Sequence, residues 1–374
     1  MTDDIPIEMH VEIMKRLPVK SVAVFRSVSK AWKSMIDSRL FITDYTNFHQ
    51  HHRLLIRYEV VNTFPYKKTE TKYVSIVDND TFSQHEFDTV CNVPVSFQRL
   101  NKLDLVGTSH GLFCLSGYSR EDGCDKRTAL IWNPSLGKSI AVDVPSVYPV
   151  LGFGVYPDTF DPMIVMISNA KHPKPVLVFT LSSRVWRVPR GNLPAKSIYF
   201  PNVSPVATHD RCIYWKAFKK NINLVVSFDM VSEDFTEINL PPSVAHWKYH
   251  RFSISKIKES LALVEYSYDA EKQVCGVWIM VEDGVSKLFT KLFTINTFET
   301  KVLGFSKNDR PIMENVIAKD GVAASLVVYE SSTGAIENVW IIGKRDSFSA
   351  SSYTETLLLL DELDGQFVKI QLQF

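Results

Sequence analysis

Three groups of side chains have types and spacing from which chemistry could be built. Ser109 and His110, with Cys114 shortly after, offer a nucleophile beside a base. They fall in a strand-like stretch, where adjacent side chains point to opposite faces, so the pattern predicts that they do not meet. His49, His51 and His52 could begin a metal site. A closed site needs further ligands, no second Cys/His cluster stands elsewhere in the sequence, and a solvated connecting segment is the simpler expectation. Glu121, Asp122 and Asp125 lack the spacing of an EF-hand loop and read as a solvated turn. No His-Glu-x-x-His helix and no P-loop occurs. Lys67-Lys68 and the trio Lys216, Lys219 and Lys220 are too sparse for a nucleic-acid stripe. These residues assign no catalytic group, cofactor or metal.

The totals point the same way. The chain has 374 residues, 45% hydrophobic and 22% charged, with a net charge of +1. That balance gives no electrostatic case for nucleic acid or an anionic membrane. Its 23 Phe and 14 Tyr lean towards β structure. The five cysteines, Cys91, Cys114, Cys124, Cys212 and Cys275, are scattered, odd in number and without Cys-x-x-Cys spacing. They read as free thiols of a reducing compartment. No signal pattern opens the sequence, no apolar run is long enough to span a bilayer, and the expected location is cytoplasm, nucleus or both. The sequons at Asn79 and Asn202 are then coincidental.

The elements divide into two textures. From Ile5 to Phe41 the spacing predicts three short amphipathic helices. Pro6 suits a first helical turn, and Ile7, Met9, Val11, Ile13, Met14 and Leu17 spread over an arc of roughly 200°. A helix packed on one neighbour needs only about 100° of apolar face, so the excess predicts a second partner. Pro18 ends this helix, Ser21 is the expected cap of a second carrying Val22, Phe25 and Val28, and Ser29 of a third carrying Trp32, Met35 and Ile36. A small module with surplus apolar surface is a docking module.

This string resembles the F-box in the form common in plants. The residues that carry the resemblance are Ile5-Pro6, Glu12-Ile13, the run Arg16 to Ser21, Phe25-Arg26, Val28-Ser29-Lys30, Trp32, Asp37 and Phe41. Ile5 stands where the family has leucine, and Val24 where arginine or leucine is common. The resemblance implies binding to the Skp-type adaptor of a cullin–RING ubiquitin ligase. Ile5, Pro6, Ile13, Leu17, Pro18, Val22, Phe25, Val28 and Trp32 would form the interface and its supporting core. Trp32 divides evenly between those roles, while Pro6 and Pro18, at helix ends, favour the interface.

Beyond residues 46–52, read as a linker after a domain over 1–45, short strand-like runs fill 53–374. A hairpin unit recurs with anchors at Val77, Trp132, Phe179, Phe228, Trp278 and Tyr329, about fifty residues apart. Such a period in an all-β texture predicts a β-propeller of about six blades, each anchor on a blade's third or fourth strand. A degenerate seventh blade between Val77 and Trp132 stays open, and the period disfavours a pair of β-sandwiches. Neither a Trp-Asp dipeptide nor a double glycine occurs.

This region resembles the plant F-box-associated domain, a kelch-like propeller. The matching pieces run in order from Asp104 to Asp361: Gly111–Leu115, Ile131–Ser135, Leu151–Gly154, Trp186, Ile213–Trp215, Ser227–Asp229, Leu240-Pro241, Trp278, Leu292–Ile295 and Ser352–Leu357. They read as structural: Asn133-Pro134 as a turn, Gly152 and Gly154 as close backbone approach or a bulge, the tryptophans and tyrosines as core. Together the resemblances imply a non-catalytic substrate-recognition subunit of an SCF-type ligase. The F-box would hold the adaptor, and through it cullin and RING subunits, and the β domain would hold an unidentified protein target. The alternatives are an F-box protein acting outside the ligase, or a propeller that binds or converts a small molecule.

Overall fold

The structure is a computed structural model. It describes residues 6–48, 52–62, 68–79, 87–90, 94, 97, 100–121, 124–168, 175–201, 206–207, 211–246, 251–258, 260–269, 272–283, 286–296, 300–317, 322–359, 366–368 and 372–373. Four helices come first: α1 (Ile7–Met14), α2 (Val19–Phe25), α3 (Lys30–Ile36) and α4 (Arg39–Phe48). The fourth exceeds the three expected. It forms because Phe41 and Tyr45, one turn apart, both bury in the module's core. Ser29 caps α3 as expected, its hydroxyl accepting from the Trp32 amide at 3.1 Å. Ser21 caps nothing. Pro18, at φ −56° much like Pro6 at −53°, leads into α2 directly, so the helix begins three residues earlier than a Ser21 cap would place it.

The β region is a ring of six blades. Blade 1 contains β1 (His52–Asn62), β2 (Lys68–Val77) and β3 (Phe87–Val90). Blade 2 contains β4 (Asn101–Ser109), β5 (Leu112–Glu121), β6 (Cys124–Asn133) and β7 (Lys138–Val144). Blade 3 contains β8 (Pro149–Val155), β9 (Pro162–Ser168), β10 (Val176–Thr180) and β11 (Val185–Arg187). In blade 4 the first strand is split into β12 (Ile198–Tyr199) and β13 (Val206–Ala207), both on β14 (Cys212–Lys219), followed by β15 (Ile222–Asp229) and β16 (Phe235–Asn239). Blade 5 runs from β17 (Arg251–Ile257) through β18 (Ser260–Asp269) and β19 (Lys272–Asp283) to β20 (Ser286–Asn296). Blade 6 runs from β21 (Thr300–Phe305) through β22 (Pro311–Val316) and β23 (Ala323–Tyr329) to β24 (Ile336–Lys344).

β25 (Ser349–Thr354) closes the ring by pairing with β1 as blade 1's innermost strand. The chain then covers two outer edges, β26 (Gln366–Val368) lying parallel on β7 and β27 (Leu372–Gln373) parallel on β11. Every anchor falls on the third strand of its blade, and the long interval between Val77 and Trp132 holds β3 to β5 rather than a seventh blade.

One sheet cannot bury both faces, so neighbours must cover it. Each of the six seams between blades contains its own apolar cluster. Gly152 and Gly154 allow blade 3 to meet blade 4: a Cβ at Gly152 would land on the Trp215 ring, and one at Gly154 on the Met230 sulfur. The Trp215 indole N–H donates to Leu151 O at 3.1 Å across the same seam.

The third-to-fourth-strand hairpins repeat one turn. The amides of Gly137, Arg184, Glu233 and Gly334 return to the carbonyls of Asn133, Thr180, Asp229 and Glu330 at 2.8–2.9 Å. All four donors have positive φ, between 56° and 74°. Glycine is at ease there; glutamate is not. Glu233 is held by Arg187, whose guanidinium pairs with both carboxylate oxygens, and by the Arg190 amide at 2.7 Å.

Antiparallel pairing sends the first-to-second and third-to-fourth hairpins to one face of the ring. The second-to-third hairpins and the blade-to-blade connections go to the other. The helical module rests on the first face. Leu357, just after β25, is buried in the helical core beside Leu136 of the β6–β7 hairpin, and Ile42 packs on both that core and the blade 2–3 seam. Asn133 locks the joint: its amide donates to Thr356 O at 2.9 Å and Leu358 O at 2.8 Å, while its oxygen accepts from the Ser135 and Leu136 amides. Arg39 of α4 lies over the Phe160 ring of the β8–β9 hairpin, 5.8 Å from its centre.

Candidate docking surface

The helical core is small. Met14, Val19, Val22, Ile36, Phe41, Tyr45 and Leu357 are buried, and the Tyr45 hydroxyl donates to Leu17 O at 2.8 Å. Arg26 and Asp37 tie α2 to the end of α3 by a two-pronged ion pair, joined by Lys33 at 2.8 Å. Burial pushes the Asp37 carboxyl up, but the hydrogen bonds from Arg26 and Lys33 outweigh it and hold it below the ordinary carboxylate range.

Among the residues expected at the interface, Pro6, Ile13, Pro18 and Val28 are exposed, Ile13 by 51% and Val28 by 61%. Leu17, Phe25 and Trp32 are half-buried. Trp32 meets Phe25 edge-on at 5.4 Å and His10 at 5.5 Å, so one side of its ring is core while the residue keeps some exposure. Val22 is fully buried, which makes it a support and removes it from any contact surface. Ile5 lies outside the described residues.

The structure adds Ile7, Met9, Val24 and Leu40, all exposed, Leu40 by 79%. Leu40 had a readable signal: it stands about 100° around the helix from Phe41, away from the Phe41–Tyr45 stripe that the core takes. The result is an apolar surface over α1, α2 and the α3–α4 corner that the ring does not cover. Exposed apolar side chains of this kind are the material of a docking surface.

The chemical candidates resolve differently from their sequence reading. Gly107-Thr108-Ser109-His110-Gly111 has the Gly-x-Ser-x-Gly spacing of a nucleophile elbow, which the sequence reading overlooked. Ser109 and His110 do meet, Oγ to Nδ1 at 3.0 Å, because His110 has left the strand for a turn at φ 49°. The setting is strand–turn–strand, not the strand–turn–helix an elbow requires. The Ser109 hydroxyl also accepts from the Val155 amide at 3.1 Å, and the His110 ring packs on Phe160 under the helical module. Cys114, Cys212 and Cys275 are buried free thiols, and burial pushes Cys275 up to about 11. His49 and His51 lie outside the described residues, as does Asp122; among those described, no three His, Cys, Asp or Glu side chains group to hold a metal. No helix among the described residues is long and apolar enough to cross a membrane.

The chain belongs to the F-box proteins that carry an F-box associated beta propeller domain. The propeller family matches residues 60–354, and the F-box domain matches residues 3–44. An F-box/kelch-repeat protein of Arabidopsis thaliana is 24% identical over 96% of this chain and 97% of its own length. A second Arabidopsis thaliana F-box protein is 25% identical over 80% of this chain and 82% of its own. Among solved structures, the β-propeller domain of the Trilobed protease from Pyrococcus furiosus is 16% identical, with a TM-score of 0.41 over 64% of this chain and 71% of that one.

Proposed function

We propose that this protein is the substrate-recognition subunit of an SCF-type ubiquitin ligase, working in cytoplasm, nucleus or both. The F-box, with Ile5, Pro6, Ile13, Leu17, Pro18, Phe25, Val28 and Trp32, takes the Skp-type adaptor and through it cullin and RING subunits. Ile7, Met9, Val24 and Leu40 extend that surface. The propeller takes a protein target. The protein's contribution is proximity: a target held beside a charged ubiquitin carrier meets it at high effective concentration, and no side chain here performs bond chemistry.

One observation carries this reading. The apolar surface of the F-box stays open although the module is already packed on the ring through Leu357 and Leu136. A module needed only to plug the ring would have turned those side chains inward. The test is an Ile13→Asp variant of the full chain. Adaptor capture is expected to fall more than a hundredfold with the propeller's thermal transition unchanged; retained capture overturns the reading. Cullin recovered with wild type separates a ligase subunit from an F-box protein that works outside the ligase.

A further inference from the structure

The face of the ring opposite the F-box carries a cation whose fold-given partners leave it half used. Arg127 stands near the start of β6, directly across from Tyr118 of β5 and Val144 of β7. These three side chains share the blade-3 side of their sheet with Cys114, Ala129 and Ile131, which fill the seam beneath. The Arg127 side chain is only 15% exposed. Its Nε donates to the Ser116 hydroxyl at 2.8 Å, and that buried hydroxyl donates in turn to Thr128 O at 3.3 Å. The chain of bonds fixes the Nε edge of the guanidinium and leaves its η nitrogens on the side of Asp104.

No carboxylate among the described residues closes on both η nitrogens. Among the described residues the nearest is Asp104, half exposed and paired with one η nitrogen at 3.9 Å, and the guanidinium's one hydrogen bond there is that from Nε to Ser116. Burial lowers Arg127 below the ordinary arginine value although Asp104 and Tyr118 pull it upward. A guanidinium drawn out of water without a two-pronged partner is costly, and a carboxylate meeting both η nitrogens in parallel is the group its geometry fits.

The surroundings say what carries that carboxylate. Tyr118 is partly exposed, and Tyr148, at 72% exposure, sits on the connection into β8 that opens at the same end of the ring. Lys102, exposed at a bulge in β4 with φ 49°, adds positive charge beside Asp104. An exposed tyrosine beside an arginine, with a second exposed tyrosine on the same face of the ring, is the composition of a protein-binding centre rather than a free-anion site.

We propose that Arg127 is the anchor of a peptide-binding site on this face, taking an aspartate or glutamate carboxylate from an acidic segment of the target beside Tyr118. The proposal rests on the reading of the propeller as target receptor and names the chemistry of its target.

The test uses the full chain bound to its adaptor. Bead-bound degenerate heptapeptides with a fixed central glutamate are compared with the same library carrying glutamine, and with a phosphoserine and serine pair. Wild type is expected to be retained at least tenfold better by glutamate than by glutamine. Arg127→Gln should erase that preference while keeping the wild-type thermal transition. Asp104→Asn, which removes the competing carboxylate, should strengthen it several-fold. Equal retention on glutamate and glutamine, or a preference that survives Arg127→Gln, overturns the proposal; stronger retention on phosphoserine overturns the carboxylate assignment. Adaptor capture that depends on Ile13 while no glutamate preference appears sinks the Arg127 site alone, whereas capture indifferent to Ile13→Asp sinks the receptor reading.

Discussion

Asn133→Asp separates two jobs that one buried side chain performs. Asparagine here uses its whole hydrogen-bonding capacity: two donations to Thr356 O and Leu358 O, two acceptances from the Ser135 and Leu136 amides. Aspartate keeps the shape and the acceptor that holds the turn but removes both donors to the chain that seats the F-box. Two buried carbonyls then lose their partner and face an acidic group, at about 1–3 kcal/mol each, partly offset because a protonated acid can restore one donation. A net loss of about 3 kcal/mol is expected, roughly two orders of magnitude in the equilibrium that opens this joint. Hydrogen exchange read by mass spectrometry is the assay. Amides of α1 to α4 and of Thr354 to Leu359 should exchange about a hundredfold faster at neutral pH, with partial recovery in mild acid, while blades 4 to 6 keep wild-type protection. Unchanged exchange in the helices would refute the claim that Asn133 couples ring to F-box.

Other expectations follow from the same contacts. The Glu233 carboxyl sits below its ordinary value of 4.5: burial raises it, and Arg187 and the Arg190 amide more than reverse that. Its contribution is therefore complete above pH 4.5 and lost as pH falls through the lowered value. Glu233→Gln should cost about 2 kcal/mol at neutral pH and flatten the acid limb of a urea-melt series. Glu314 is the opposite case, raised above 4.5 chiefly by burial. Its contribution is fully present below pH 4.5 and lost as pH rises through the raised value, so Glu314→Gln should match wild type in acid and exceed it by about 1 kcal/mol at pH 7. Gly152→Ala drives a methyl into the Trp215 ring and should cost about 1–3 kcal/mol, visible in tryptophan fluorescence during chemical unfolding.

The ring was legible because it repeats. Aromatic or β-branched anchors recur on third strands since each must fill the same seam, and a period survives where individual strands are ambiguous. Gly152 and Gly154 were half readable: the sequence left close approach and a bulge both open, and the Trp215 ring and Met230 sulfur against them decide for close approach. The F-box surface was half legible. Periodicity detects an apolar face too wide for one partner, but it cannot rank residues within that face, and so Val22 and Ile13 looked alike until depth separated them. The Leu357 joint was invisible because its contacts span the whole chain, and a leucine-rich run reads equally well as a buried strand. The Ser109–His110 contact was missed because the strand pattern hides the positive φ that brings His110 around. Arg127 gave no signal at all: what distinguishes it is that its acid, Asp104, stays at 3.9 Å and makes no two-pronged contact, a property of three dimensions.

The order in which the chain is made gives β25 and Leu357 one more meaning. The F-box leaves the ribosome well before the leucine that completes its core and the strand that shuts the ring, which lie about three hundred residues further along the chain. At about 5–20 residues per second, the early helices wait roughly 15–60 seconds with an unfilled hollow. A message cut short before Ser349 yields a product with an open ring and an unseated F-box together. Closure of the ring and seating of the F-box thus arrive together, on one short stretch of chain.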